Sequence, residues 1–314
     1  MARLILHRVL AVVPMLFLVT VFTFLLVHLI PGDAAEYMAG DEATVQDVAR
    51  IREELGLDDP LVGQYLEWVS NVALGDFGTS MLSSQDVAEM VTSRLPVTLS
   101  LAVGGVIVAL VIGVTTGVAG AVRPGSLLDR AATVFASLGL AVPNFWFALV
   151  LVYVFALTLT WFPATGYTPL TESPIGWLAS IALPCIALGT SASASISRQT
   201  RSALIDVLGK EYVRTARAAG VSRRVVVGKY GLKNAAIPVI TVLGFQLSGL
   251  FAGALIVEQV FALPGLGSLA VSAVRTRDIP MIQGIVLYIT VVVIFVNLAI
   301  DVAYGLLNPK VRSE

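Results

Sequence analysis

The chain has 314 residues, 57% of them hydrophobic and 13% charged, with a formal net charge of −1 and a mean hydropathy of +0.87. This composition excludes an ordinary soluble domain and points to a protein that lives in a bilayer. The single cysteine, Cys185, excludes an internal disulfide and a cysteine-based metal cluster, and as a small thiol after Pro184 it reads as buried core.

The first apolar run, Val9 to about Ile30, follows Arg3, His7 and Arg8 and stops at Pro31-Gly32-Asp33. It is too long for a signal peptide and has no convincing small-residue cleavage site, so it reads as a retained membrane helix. Residues 31–95 form a separate acidic segment with 13 acids and three basic residues. Within it Thr44 and Asp47 are spaced as a capping box, Gly56 is placed to end that helix, and Pro60 fits the first turn of the next. Leu61, Tyr65, Leu66, Trp68 and Val69 give the second helix an apolar face. Gly75-Asp76-Phe77-Gly78 predicts a tight turn, and Ser84 precedes a short helical pattern, 86–90, ahead of Arg94-Leu95-Pro96. Two readings fit this segment: a surface that receives another protein, or a cover over the outer mouth of a helix bundle.

Further spans are expected at about 97–122, 132–160, 178–197, 236–257 and 282–307, giving six in all, with five or seven also compatible. Pro143 divides the 132–160 window, so part of it leads into the span rather than crossing. Gly104, Gly105, Gly113, Gly117 and Gly120, together with Gly189, Ser191, Ser193, Ser195 and Ser197, favour close helix packing over a wet path. Asp301 and Glu258 are the acidic candidates near membrane depth. Asp301 reads as a helix-end residue rather than a proton relay, Glu258 lies at the outer edge of the fifth span, and His28 is an equally weak candidate.

Residues 198–235 carry nine basic residues against two acids. Fifteen of the 20 Lys and Arg fall on one side of a six-span arrangement, which places both termini and this loop in the cytoplasm by the positive-inside rule. The loop predicts a helix through Ala219 with positions 207, 208, 212, 213, 216 and 219 on one face. Gly220 follows as a turn, Ser222 as the cap of a second short helix, and Pro238 as the start of the next span. Its mixture of small, apolar and basic residues suits a notch in a cytoplasmic partner, while anionic lipid is the alternative contact. It lacks the aromatic interleaving of a nucleic-acid surface. No phosphate-binding loop, HExxH or G-x-S-x-G motif is present, so the chain carries no catalytic residues and no ATP-hydrolysing site of its own.

Several ordered motifs then carry a resemblance. Leu29-Ile30-Pro31-Gly32-Asp33, Leu55-Gly56-Leu57-Asp58-Asp59-Pro60 with Gln64, Tyr65 and Trp68, and Gly75-Asp76-Phe77-Gly78-Thr79-Ser80 lie in the first third. Arg94-Leu95-Pro96-Val97-Thr98-Leu99, Glu258-Gln259-Val260-Phe261-Ala262-Leu263-Pro264-Gly265-Leu266-Gly267 and Arg277-Asp278-Ile279-Pro280 follow. Over residues 1–312 the chain resembles the inner-membrane permeases of ABC importers, in the dipeptide, oligopeptide and nickel branch, and its outer segment resembles the B-type subunit. Its loop is similar to the branch pattern Y-V-R-T-A-R-A-x-G. It departs from the general E-A-A-x-x-x-G motif because Arg214-Thr215-Ala216 stands before Gly220, which disfavours a sugar importer.

The resemblance implies an all-α polytopic membrane protein with the type I ABC importer permease fold, six transmembrane helices and both termini cytoplasmic. The implied regions are an N-terminal helix at 1–30, the extracytoplasmic segment 31–95, and a permease core at 96–312 containing the loop 198–235. It implies a sister permease, two ATPase subunits that use ATP and magnesium, and an extracytoplasmic solute-binding protein. No cofactor or metal is implied for this chain. The setting is a bacterial or archaeal cytoplasmic membrane, and the cargo is short peptides, with nickel or a nickel chelate as the alternative and an autonomous secondary carrier as the rival class. ATPase coupling is assigned to Arg214, Ala216, Ala219, Gly220, Val221, Ser222, Arg223 and Arg224. Arg223 and Arg224 are open to either pairing with partner acids or setting topology. Outer docking is assigned to Asp58, Tyr65, Trp68, Asp76, Arg277 and Asp278.

Overall fold

The computed structural model describes residues 2–28, 44–54 and 58–307, and among them the regular structure is helical apart from one isolated bridge between Thr79 and Asp86. The expected end of a helix at Gly56 lies outside the described residues. The chain folds as two compact units. One is built from Pro96–Ser268 and Asn297–Glu314, the other from Ala2–Leu95 and Leu269–Val296.

In the second unit, α1 runs Ala2–His28, α2 Val45–Glu54 and α3 Leu61–Ala73. Thr44 opens α2 as expected: its Oγ1 accepts from the Asp47 amide, and the Asp47 carboxylate accepts from the Thr44 amide and hydroxyl. Pro60 is the residue before α3 rather than part of its first turn. Gly75 and Gly78 have φ of +92° and +77°, so this turn uses the left-handed conformation that a side chain penalises.

Helix α4, Val87–Val122, corrects the expected break at Arg94-Leu95-Pro96, because it runs without interruption through Pro96. Its start is capped by Asp86, whose carboxylate accepts from the Glu89 amide, and not by Ser84, which adopts φ +53° in the preceding loop. Proline inside a long apolar helix costs one backbone bond, which neighbouring packing can offset.

The first unit continues with α5, Leu127–Ala141, and α6, Asn144–Leu151, which extends as a π-helical turn over Val152–Thr158. These halves meet at Pro143 with a bend of 106°. The proline divides the window where the sequence places it. Helix α7 spans Pro174–Leu208, well beyond the apolar 178–197, and carries Arg198 and Arg201 on its last turns. Helices α8, Glu211–Ala218, and α9, Arg223–Val225, form the basic loop. A π-helical stretch, Val226–Leu232, joins α9 to α10, Lys233–Val260. Arg223–Val260 is therefore one continuous helical run, which corrects the expectation of a separate short helix ending before Pro238. Pro238 lies inside α10, not at its start. Helices α11, Leu266–Thr276, and α12, Ile279–Leu307, complete the chain.

Helices α4 and α7 show why the small residues are there. A Cβ on Gly113 would stand 2.7 Å from the Ile196 Cβ, one on Gly117 2.6 Å from the Thr200 Cβ, and one on Gly189 2.6 Å from the Val108 Cβ. Gly189, Ser193 and Ser197 recur every four residues and present one face, where Thr116 donates to the Ser197 hydroxyl over 2.8 Å. Ser191 points elsewhere, toward a cavity of about 230 Å³ at the α5–α6 bend that Asn144, Trp146, Phe147 and Thr190 also line.

Among the described residues, four helices are long and apolar enough to cross a membrane, or five if the bent pair counts as one span. Helix α1 contributes a shorter apolar stretch, Leu10–Leu25.

Candidate functional site

The basic loop is a helix, a glycine turn and a second helical start. Val213 is fully buried and anchors α8, with Ala216 half-buried beside it, whereas Tyr212 and Ala219 remain exposed. The expected apolar face is thus narrower than the pattern of positions suggests. The turn is closed by two backbone bonds, from Gly220 to the Arg217 carbonyl and from Val221 to the Ala216 carbonyl. Gly220 sits at φ +81° with open space around its Cα, so backbone conformation and not crowding demands glycine there. Ser222 occupies the cap position of α9, but its side chain makes no capping bond. Arg214, Gly220, Ser222, Arg223 and Arg224 are exposed, and Val221 is half-buried. Six of the eight assigned residues are exposed, and Ala216 and Val221 are half-buried.

One of its arginines is turned to the chain itself. The Arg223 guanidinium donates to the Val122 carbonyl at the end of α4 over 2.6 Å. Close by, Arg201 of α7 makes a bidentate pair with the buried carboxylate of Asp129, its Nη2 lying 2.9 Å from Oδ2. Asp129 also accepts from the Gly125 amide, and its own amide donates to Ser126, the cap of α5. A Cβ on Gly120 would come 3.0 Å from an Asp129 oxygen. Ala121, Leu204 and Ala235 form an apolar cluster next to this pair, with Val118, Ala203, Leu208 and Val227 packed on it.

The residues assigned to outer docking divide into two sets. Asp58, Asp76 and Arg277 are exposed, and the Asp76 carboxylate accepts from the Gly78 amide over 2.8 Å. Tyr65 and Trp68 face α1: the Tyr65 hydroxyl is 2.9 Å from the Thr20 hydroxyl, and the Phe24 ring lies 5.5 Å from Tyr65 and 5.9 Å from Trp68. Asp278 is buried. It accepts from the Ser80 hydroxyl and the Met81 amide and sits before the first turn of α12, so it ties a loop to a helix start.

Residues 109–313 match the family model described as the binding-protein-dependent transport system inner membrane component, and residues 1–102 match the N-terminal model for such membrane components. The chain belongs to that permease family. A protein of Brucella abortus named as a peptide transport system permease is 42% identical over 314 residues, covering all of both chains. The glutathione transport system permease of Escherichia coli K12 is 40% identical over 314 residues, again covering all of both. Among solved structures, an inward-facing methionine ABC transporter matches at 18% identity with a TM-score of 0.54, covering 70% of this chain and 96% of that one. The fold is that of type I ABC importer permeases, and the chain is a membrane component of a transporter.

Two features of this permease escape a reading of local pattern. The Asp129–Arg201 pair joins residues 72 positions apart, so neither residue signals the other in sequence. The S-x-x-D spacing of Ser126 and Asp129 was the available hint, since it marks a capped helix start at α5. Glu258, expected at a span edge, is fully buried, accepting from the Thr98 hydroxyl over 2.7 Å and the Ser268 amide over 2.9 Å. Any Cβ on Gly265 would collide with that carboxylate, and one on Gly267 would come within 2.9 Å of it. That explains the glycines in the Glu258–Gly267 motif: they make room for a buried acid that receives the start of α11.

Proposed function

We propose that the chain is one membrane half of an ATP-driven importer that carries short peptides into the cell. The observation that carries this reading is the identity of about 40% over the whole chain with permeases named for peptide and glutathione transport. Nickel transport is not favoured by those relatives. The exposed glycine turn supports a mechanical role, because a protruding, ordered loop can be gripped by a separate motor subunit. In this reading Arg214, Ala216, Ala219, the run Gly220-Val221-Ser222 and Arg224 meet the ATPase, while Arg223 ties the loop to the Val122 carbonyl. ATP and magnesium act in the partner subunits, and this chain holds no cofactor.

The complete assembly has a sister permease, two ATPase subunits and an extracytoplasmic binding protein, set in the cytoplasmic membrane of a bacterium or archaeon. Six spans place both termini and the basic loop inside the cell. Asp58, Asp76 and Arg277 face the binding protein, with Tyr65, Trp68 and Asp278 holding the elements that present them. The cavity at the α5–α6 bend contributes to the path wall. Movement of the loop by ATP-driven closure of the motors biases the helices between two arrangements, which is the coupling an importer needs.

The test is purification with stoichiometric partners, reconstitution in vesicles, and measurement of labelled di- and tripeptide accumulation. ATP-dependent uptake that requires the binding protein supports the proposal. Uptake of a nickel chelate but not of peptide would move the substrate, and ion-gradient-driven uptake by this chain alone would overturn the class.

A further inference from the structure

We infer that Asp129 and Arg201 are positioning residues that pass movement of the basic loop to α5, the first half of the bent helix pair. This rests on the importer reading above. Arg201 lies near the end of α7, the helix that leads directly into the loop, while Asp129 lies in the first turn of α5. The two-bond geometry fixes direction as well as distance, because a planar guanidinium on two carboxylate oxygens resists rotation in a way a single contact does not.

The pair is held from several directions. The Gly125 amide fixes one Asp129 oxygen, and the missing side chain at Gly120 leaves room for the carboxylate and for the Arg201 stem. Arg223, from beyond the glycine turn, holds the Val122 carbonyl at the other side of the same α4–α5 corner. Both flanks of the loop are therefore fastened to one corner, the incoming side through Arg201 and the outgoing side through Arg223. The Ala121, Leu204 and Ala235 cluster packs together the end of α4, the end of α7 and the start of α10, the helices from which Val122, Arg201 and the outgoing side of the loop come. A push on the turn reaches that corner through a polar grip and a packed one, and α5 continues from it into the 106° bend.

An ion pair whose Asp129 end is buried and whose Arg201 end is half-exposed does not by itself argue for stability, because desolvation and solvent screening offset much of its attraction. A geometric role makes a separate demand. Weakening the pair should lower transport per ATP hydrolysed more than it lowers assembly, whereas a purely structural pair would lower assembly and leave that ratio unchanged.

The experiment uses the assembled importer in vesicles with a labelled tripeptide, comparing wild type with Asp129→Asn, Arg201→Gln and the double variant. Peptide accumulated and ATP hydrolysed are read in the same preparation. The expected result is a fall in transport per ATP of at least about fivefold, the lower end of ordinary coupling, with the double variant no worse than either single one. Arg201→Lys keeps the charge and removes the two-bond fork, so it should show a milder fall even where a neutral variant fails to assemble. An unchanged ratio in Arg201→Lys and in every neutral variant that assembles would overturn the inference, as would single effects that simply add. If the wild-type assembly accumulates no peptide, the importer reading fails instead, so the two failures are distinguishable.

Discussion

In the basic loop Arg214, Ala219, Gly220, Ser222 and Arg224 stand exposed on one short stretch, with buried Val213 as their anchor. In the unit that contains the acidic segment, Tyr65 and Trp68 are turned toward α1 and hold α3 to it, and buried Asp278 ties the loop at Ser80 to the start of α12. The contrast teaches that an ordered partner surface needs two kinds of residue, those that meet the partner and those that keep the surface in place. The loop keeps them on neighbouring positions of one short stretch. The other unit takes its holding residues from α3 and from the start of α12, far apart in sequence.

Substitutions should sort along this division. The largest effect is expected for Gly220→Val, which forces a β-branched residue to φ +81°. With ~1–3 kcal/mol of backbone strain and about 1.4 kcal/mol per tenfold, coupled peptide uptake should fall about tenfold or more while membrane insertion persists. Gly220→Asn tolerates that conformation better and should retain more activity. Equal uptake by wild type and Gly220→Val would remove the turn from the account.

Asp278→Ala comes next, because it strands the Ser80 hydroxyl and the Met81 amide. A loss of about 1–3 kcal/mol should appear as a lower Tm of the detergent-solubilised protein. If the midpoint holds and only binding-protein affinity drops, Asp278 belongs with the docking residues instead. Tyr65→Phe removes one hydroxyl contact with Thr20 and should cost about 0.5–1.5 kcal/mol. By contrast Asp76→Ser keeps a short acceptor for the Gly78 amide, and its unfolding free energy should stay within about 0.5 kcal/mol of wild type. Its measurable effect should be weaker binding-protein association.

The smallest effect concerns Asp47. The hydrogen bond from Thr44, and to a lesser degree the Arg50 charge, hold this carboxyl below its ordinary 3.8. A depressed folded-state value means that the charged form supports α2 above the ordinary range, and that this support is lost as pH falls through the lowered value. The protection of the α2 amides, corrected for the intrinsic exchange rate at each pH, should fall on that descent in wild type and show little pH dependence of this kind in Asp47→Ala.

Local chemistry made much of this architecture readable. The Thr44–Asp47 capping box, the glycine turn at Gly220 and the division at Pro143 each depend on residues within a few positions of one another. Proline alone misled at Pro96 and Pro238, where long apolar helices continue because their surroundings make up for one missing backbone bond. Ser222 occupies a cap position without making the capping bond, so residue type alone overstated its role. Asp129 with Arg201, and Glu258 with Thr98, were illegible because tertiary packing and not spacing brings them together. Tyr65 and Trp68 show the same limit from the other side, since a surface motif and an internal clamp have one sequence signature.

The most direct test of the account places a cysteine at the loop. In a Cys185→Ser background, Ser222→Cys would be oxidatively crosslinked in native membranes against cysteines introduced on the copurifying ATPase. The expected result is a crosslink whose yield changes with ATP, together with peptide uptake that the crosslink blocks. A loop cysteine that forms no bond to any ATPase while ATP-driven uptake continues would contradict coupling through this turn.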